Sequence, residues 1–209
     1  MKFERFTKED FNVFTVDGLD ERMGELKKQV RPKLESLGEI YAPFLSSLCQ
    51  EEMFAHVAKH ARRSVNPPKD TWVAFAANKR GYKRHPHFQI GLFESHVFIW
   101  FAVIYEADIK TEYGKVLKTH IEEIENSIPS YFVWSKDHTK PDTISMEDLS
   151  REDLTALFDR LEKVKKAEIL CGLRIPQKEA IEMSKDEWDQ TFKDAFTMLL
   201  PLYKLGATI

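Results

Sequence analysis

The sequence predicts an α+β fold: a single domain over residues 1–209, with a central, largely antiparallel sheet of about five to six strands packed by helices. Three observations predict it. Three apolar runs, Trp72 to Lys79, His87 to Phe93 and His96 to Tyr105, follow one another with only short turns between them. Patterns with apolar residues at spacings of three and four precede and follow that block. No repeat, low-complexity tract or linker divides the chain, and its 15 Phe and 4 Trp supply ample surface to bury.

Taken in order, Thr7-Lys-Glu-Asp10 reads as a helix N-cap with an acid at the third position. Asn12 to Val16 reads as a strand ended by Asp17-Gly18. From Asp20 a long helix follows through Met23, Leu26, Val30, Leu34 and Leu37, with Pro32 interrupting it and Gly38 ending it. The segment EEMFAHVAKHARR reads as a second short helix, and the Asn66-Pro-Pro68 run as an extended linker. The three apolar runs then form a meander, with Glu94-Ser95 as a tight hairpin between the second and third. The third is apolar on both alternating faces and should be central, covered on both sides. Trp72, Phe75, Phe88, Ile90, Phe93, Phe98, Ile99 and Trp100 form the expected core. An amphipathic helix carries Ile109, Tyr113, Val116, Leu117, Ile121 and Ile124, and Pro129 stops it. SYFVWS is a fourth strand, Ser150 to Asp153 caps another helix, and Glu168 to Ile175 is a fifth strand. Ser184 to Glu187 is a capping box opening a last helix, with a kink expected near Pro201.

Net charge is −3, unevenly spread. Between Phe54 and Ile90, eight Lys/Arg stand against one acid, Asp70, so that window is +7 and the remainder −10. Such asymmetry speaks to partners, not to fold. Cys49 and Cys171 form no CxxC pair, which excludes a disulfide framework or a four-thiolate zinc site. The N-terminus has no apolar signal segment, and the longest apolar run is about half a membrane span. A cytoplasmic setting is expected, with no membrane association, since no helix pairs a cationic face with an exposed apolar one.

The run EEMFAHVAKHARRSVNPPKDTWVAFAANKRGYKRHPHFQIGLFESHVFIWFAVIYEA, with DFNVFTVDGL upstream, closely resembles the YktB-like family of uncharacterised bacterial proteins, along essentially the whole chain. The resemblance implies one cytoplasmic α+β domain from a Gram-positive bacterium and brings no catalytic residues with it. It also implies a sheet of the kind found in biotin-ligase and class II synthetase catalytic domains. Their adenylate-binding signature motifs are not evident here, and fold alone does not give function.

The densest positive charge lies in NKRGYKRH, Asn78 to His85. Anionic ligands need several donors converging from a short shaped segment, with Arg supplying a planar fork and Lys a point charge. Lys79, Arg80, Lys83 and Arg84 are the expected charge donors, with Arg62 and Arg63 in support. Asn78 and Tyr82 would orient a ligand by hydrogen bond and stacking. The same residues would equally suit a solvated turn, and the +7 window favours the ligand. The expected function is binding of a phosphate- or carboxylate-bearing small molecule at this hairpin. Alternatives are a single-stranded RNA module, using Tyr82, His85 and Phe88 for stacking, and a protein-interaction or homo-oligomeric domain.

Four histidines, His56, His60, His85 and His87, share the basic window. They are weak zinc candidates: HxxxH without an adjacent glutamate is a poor signal, and positive surroundings disfavour a dication. No metal or cofactor is expected. Cys49, Cys171, Ser46 and Ser47 sit in no nucleophile-elbow context. An acid–base pair from Glu106 or Asp108 with a histidine is imaginable, although nothing in the sequence brings them together.

Overall fold

The computed structural model describes residues 3–61, 63–207 and 209. Its centre is the predicted meander. Strand β2 (Asp70–Ala76) pairs antiparallel with β3 (His87–Phe93), and β3 pairs with β4 (His96–Val103) across the Glu94-Ser95 hairpin. All eight residues of β4 are buried, as its uninterrupted apolar run requires. On its other side β4 pairs with β7 (Ile169–Pro176), and β7 with β5 (Val133–Ser135).

The sheet is larger than the sequence suggests. It has seven strands in the order β1-β2-β3-β4-β7-β5-β6, every pairing antiparallel. One addition is β6 (Ile144–Ser145), too short to leave a periodic signal. The other is β1 (Phe54–Val57), which lies where the sequence suggests a helix. Met53, Phe54, Val57 and Ala58 have helical spacing, but Ala55 and Val57 alternate with Phe54 and His56 equally well. Pairing with β2, Val57 opposite Val73 and Phe54 opposite Ala76, decides for the strand.

Helical corrections have similar local causes. Residues 12–16 are not a strand: α1 (Lys8–Asn12) runs into a 3₁₀ turn (Val13–Thr15). The Asp10 carboxylate accepts the Thr7 N–H at 2.7 Å and starts the helix, which buries Phe11, Val13 and Phe14. The long helix neither breaks at Pro32 nor ends at Gly38. It continues as α2 (Leu19–Glu25), one π-helical turn (Leu26–Val30) and α3 (Arg31–Cys49). Pro32 falls in the first turn of α3, where a missing N–H costs little. Gly38 is needed for packing, since a Cβ there would stand 2.9 Å from that of Ala55. The amphipathic helix breaks at His120 into α4 (Lys110–Thr119) and α5 (Ile121–Ser127). Helices α6 (Arg151–Lys163) and α8 (Lys185–Gly206) both begin at the predicted capping boxes, and α8 runs on through Pro201. A single turn, α7 (Gln177–Ala180), follows β7.

The period of two sorts the sheet's residues into two faces. Val73, Phe75, Phe88, Ile90, Ile99 and Phe101 join the main core, where α3 packs on β1 and β2 and α8 packs on β4 and β7. The other face carries a second cluster built on Trp72, Phe93, Phe98 and Trp100, with Tyr82 packed against it. Every residue of the expected core is buried. No described helix is long and apolar enough to cross a membrane.

Candidate ligand-binding site

At one end of this second face lies a cleft of about 720 Å³. Its walls come from the chain leaving β1 (Ala58 to Ala61, and Arg63), the start of β2 (Asp70, Trp72) and a 3₁₀ turn (Tyr82–Arg84). Glu106, which follows β4, and His138 and Thr139, which follow β5, complete it.

Trp72 organises the interior. Its indole N–H donates to the Tyr82 hydroxyl at 2.9 Å. His60 and His138 both meet its ring edge-on, with centroids 5.6 Å and 6.2 Å away. Tyr82 is stacked on His56 at 5.2 Å and set edge-on to His87 at 5.1 Å. His87 is wholly buried. Its Nδ1 lies 2.8 Å from the His85 carbonyl, which can only accept, so Nδ1 carries the proton and Nε2 accepts from the Gln89 amide at 2.8 Å. Burial pushes the imidazoles of His87 and His60 down to about 4, so both are neutral near pH 7; Arg63 adds to the effect on His60.

Two buried acids beside Trp72 and His138 are held in different ways. Glu168 is buried and fully engaged: its Oε2 accepts from the backbone N–H of His138 at 2.9 Å and from His138 Nδ1 at 2.7 Å, and its Oε1 accepts the Tyr105 N–H at 3.4 Å. Asp70 is only 4% exposed, yet its carboxylate accepts no hydrogen bond from another described side chain or backbone group. Burial raises it to about 6, against the opposing positive potential of His138, Arg63 and Lys83.

The rim is cationic. Lys59, Arg63, Lys83 and Arg84 stand against Asp70 and Glu106, four charges to two. Lys83 pairs loosely with Glu106 at 3.7 Å, and Arg84 closely with Asp108 at 2.9 Å. Among the described residues the Arg63 guanidinium reaches just the Asn66 carbonyl, at 3.4 Å, and Lys59 makes no ion pair.

The expected hairpin site is therefore divided. Arg63, Tyr82, Lys83 and Arg84 line the cleft. Asn78, Lys79 and Arg80 do not: the Asn78 carbonyl accepts from His56 at 2.8 Å, the Lys79 ammonium lies 5.3 Å from the Phe54 ring centre, and Arg80 is exposed. Arg62 lies outside the described residues. His56 and His60 are not an i,i+4 pair on one helix face, because β1 and a left-handed turn at His60 replace that helix. Of His56, His60, His85 and His87, only His60 lines the cleft, and the nitrogens of His87 are both used. Glu106 and Asp108 serve as ion-pair partners of the turn. Burial drives the thiols of Cys49 and Cys171 upward, away from nucleophilic use.

Sequence reasoning missed Asp70 and His138. Asp70 had a signal, as the one acid in a +7 window. His138 had none, since its partner Glu168 is 30 residues away. Among the described residues, ligating atoms of Asp137, His138 and Glu168 lie within 4.8 Å of one another. They are already satisfied without an ion, His138 by Glu168, and Asp137 by the Thr139 hydroxyl at 2.7 Å and Lys140 at 3.5 Å.

The sequence matches the family described as a domain of unknown function, DUF1054, over residues 6–203. It is 59% identical over 201 residues to a UPF0637 protein of Bacillus velezensis, covering 96% of each chain. A UPF0637 protein of Bacillus mycoides is 50% identical over 205 residues, covering 98% of this chain and 99% of that one. Among solved structures, a conserved hypothetical protein from Pyrococcus furiosus aligns with 90% of this chain and 99% of its own, at 16% identity and a TM-score of 0.45. That likeness is too slight to bear on function.

Proposed function

The chain belongs to the DUF1054 family of uncharacterised bacterial proteins, and on that premise, which carries no activity with it, we propose that the cleft binds a small phosphate- or carboxylate-bearing ligand. The observation that carries this reading is the excess of rim cations, four against two, with Arg63 and Lys59 making no ion pair with a described residue. Lys83 and Arg84, on a turn pinned by Trp72, lose little entropy on binding. The ligand's anionic group sits among Arg63, Lys59 and Lys83, and its remainder lies against the edges of Trp72 and His60. Stacking of RNA bases is disfavoured, because Phe88 is buried in the main core.

Calorimetry with inorganic phosphate, a mononucleotide and citrate, at low and moderate salt, tests the proposal. Arg63→Ala with Lys83→Ala should weaken binding about tenfold or more, as expected for lost charge-assisted hydrogen bonds of roughly 1.5–3 kcal/mol. Lys79→Ala with Arg80→Ala should leave it nearly unchanged. The reverse pattern, or no binding of any of the three anions, overturns it. A short single-stranded RNA in the same series, binding with a steep salt dependence, would replace it with the nucleic-acid reading.

A further inference from the structure

We propose that the same cleft is a general acid–base site for hydrolysing a phosphate ester, in which His138, positioned by Glu168, takes a proton from water and Asp70 delivers one to the leaving group. This rests on the anion-binding reading above and adds chemistry to it.

His138 is held as a base should be. Glu168 can only accept, so His138 Nδ1 carries the proton, and the backbone N–H of His138 on the same oxygen fixes the ring's approach. Its Nε2 has no hydrogen-bond partner among the described residues, while the side chain, 11% exposed, lines the cleft. A buried carboxylate that sets tautomer and orientation, leaving the far nitrogen open to a cavity, is the arrangement proton abstraction requires.

Asp70 meets the opposite need. It lines the same cleft and accepts no hydrogen bond from another described residue, and its burial keeps the carboxyl protonated to higher pH than usual. The groups facing it are His138, Arg63 and Lys83, and His60 beside Trp72 is neutral. A carboxyl group so enclosed, with no hydrogen bond from another described residue, disfavours folding when ionised, which points to a use in function.

Among the described residues no serine or cysteine lines the cleft, and the Thr139 hydroxyl is committed to Asp137. Water is therefore the nucleophile. As His138 Nε2 takes one of its protons, the water oxygen bonds to phosphorus and the ester P–O bond breaks. Asp70 protonates the departing alkoxide. The His138 proton then returns through solvent to Asp70, so that ester and water become phosphate and alcohol. Arg63 and Lys83 face the charge that develops on the phosphoryl oxygens.

The test follows release of inorganic phosphate by the full chain from glycerol 2-phosphate and from phenyl phosphate, whose leaving groups both need a proton, between pH 5 and 8.5, beside calorimetry with inorganic phosphate. Turnover of either ester should show a bell-shaped profile. His138→Gln should lower the rate about 10²–10⁴-fold, and Asp70→Asn should lower it and remove the alkaline limb. Glu168→Gln should lower kcat and leave KM nearly unchanged, a split that loss of packing alone would not produce. Melting temperatures confirm that each variant is folded. No turnover by wild type, or rates retained in both His138→Gln and Asp70→Asn, overturns the acid–base proposal. Phosphate binding that survives either result leaves the binding reading standing, and absence of both binding and turnover removes the two together.

Discussion

The indole N–H of Trp72 and the hydroxyl of Tyr82 meet at 2.9 Å, and this bond ties the basic turn to the sheet. Tyr82, which the sequence suggests as a ligand-stacking residue, is instead packed between His56 and His87. Its ring holds Lys83 and Arg84 in place.

Tyr82→Phe should therefore keep the packing and lose the acceptor, costing about 1 kcal/mol. Tyr82→Ala removes the ring as well and should cost about 3 kcal/mol or more. Urea denaturation measures both. Equal costs for the two variants would mean that the hydroxyl, and not the ring, fixes the turn.

The environment of Asp70 predicts a stabilising substitution. Its carboxyl is raised from 3.8 to about 6 on folding, so the folded state holds the proton more tightly. The resulting destabilisation is absent below pH 3.8, grows through the interval and is complete above pH 6. Asp70→Asn should stabilise the protein by an amount on the order of 2 kcal/mol at pH 7.5, and not at all near pH 4. Denaturation midpoints at the two pH values check this. A loss of stability at pH 7.5 would show that the carboxylate has a structural partner.

Histidines act in the other direction, and burial lowers His56 as well as the three that move furthest. Burial lowers His60, His87 and His96 from 6.5 to about 4. As pH falls below 6.5 the unfolded chain takes up protons that the folded chain refuses, and stability is lost down to about pH 4. Asp70 offsets about one proton, leaving a net uptake on unfolding of roughly two near pH 5. The slope of unfolding free energy against pH measures that number directly. A flat slope between pH 5 and 6.5 would contradict it.

Gly172 should not tolerate a side chain. It pairs with Trp100 at the centre of the sheet, and a Cβ there would come within 1.8 Å of the Ile99 carbonyl oxygen and 3.0 Å of the Trp100 ring. Gly172→Ala must push β7 away from β4, and a cost of about 3 kcal/mol or more is expected from overpacking a fixed backbone. Thermal denaturation reads the loss. A near-neutral substitution would require that the two strands slide apart freely.

The sequence by itself determined the elements whose signals are local. Short apolar runs and a two-residue turn define β3 and β4, and the Ser150 and Ser184 capping boxes define the starts of α6 and α8. It also located half of the cleft, because Arg63, Tyr82, Lys83 and Arg84 sit in one charge-rich window. Only tertiary structure decided β1, whose few apolar residues fit either period until β2 offered hydrogen bonds. Tertiary structure alone also assembled the cleft's interior. Ser135 pairs antiparallel with Leu170, so the chain just beyond β5 returns beside the chain just before β7, and His138 meets Glu168. Periodicity is written over a few neighbouring residues, whereas convergence of Asp70, His138 and Glu168 depends on strand order and register across the sheet.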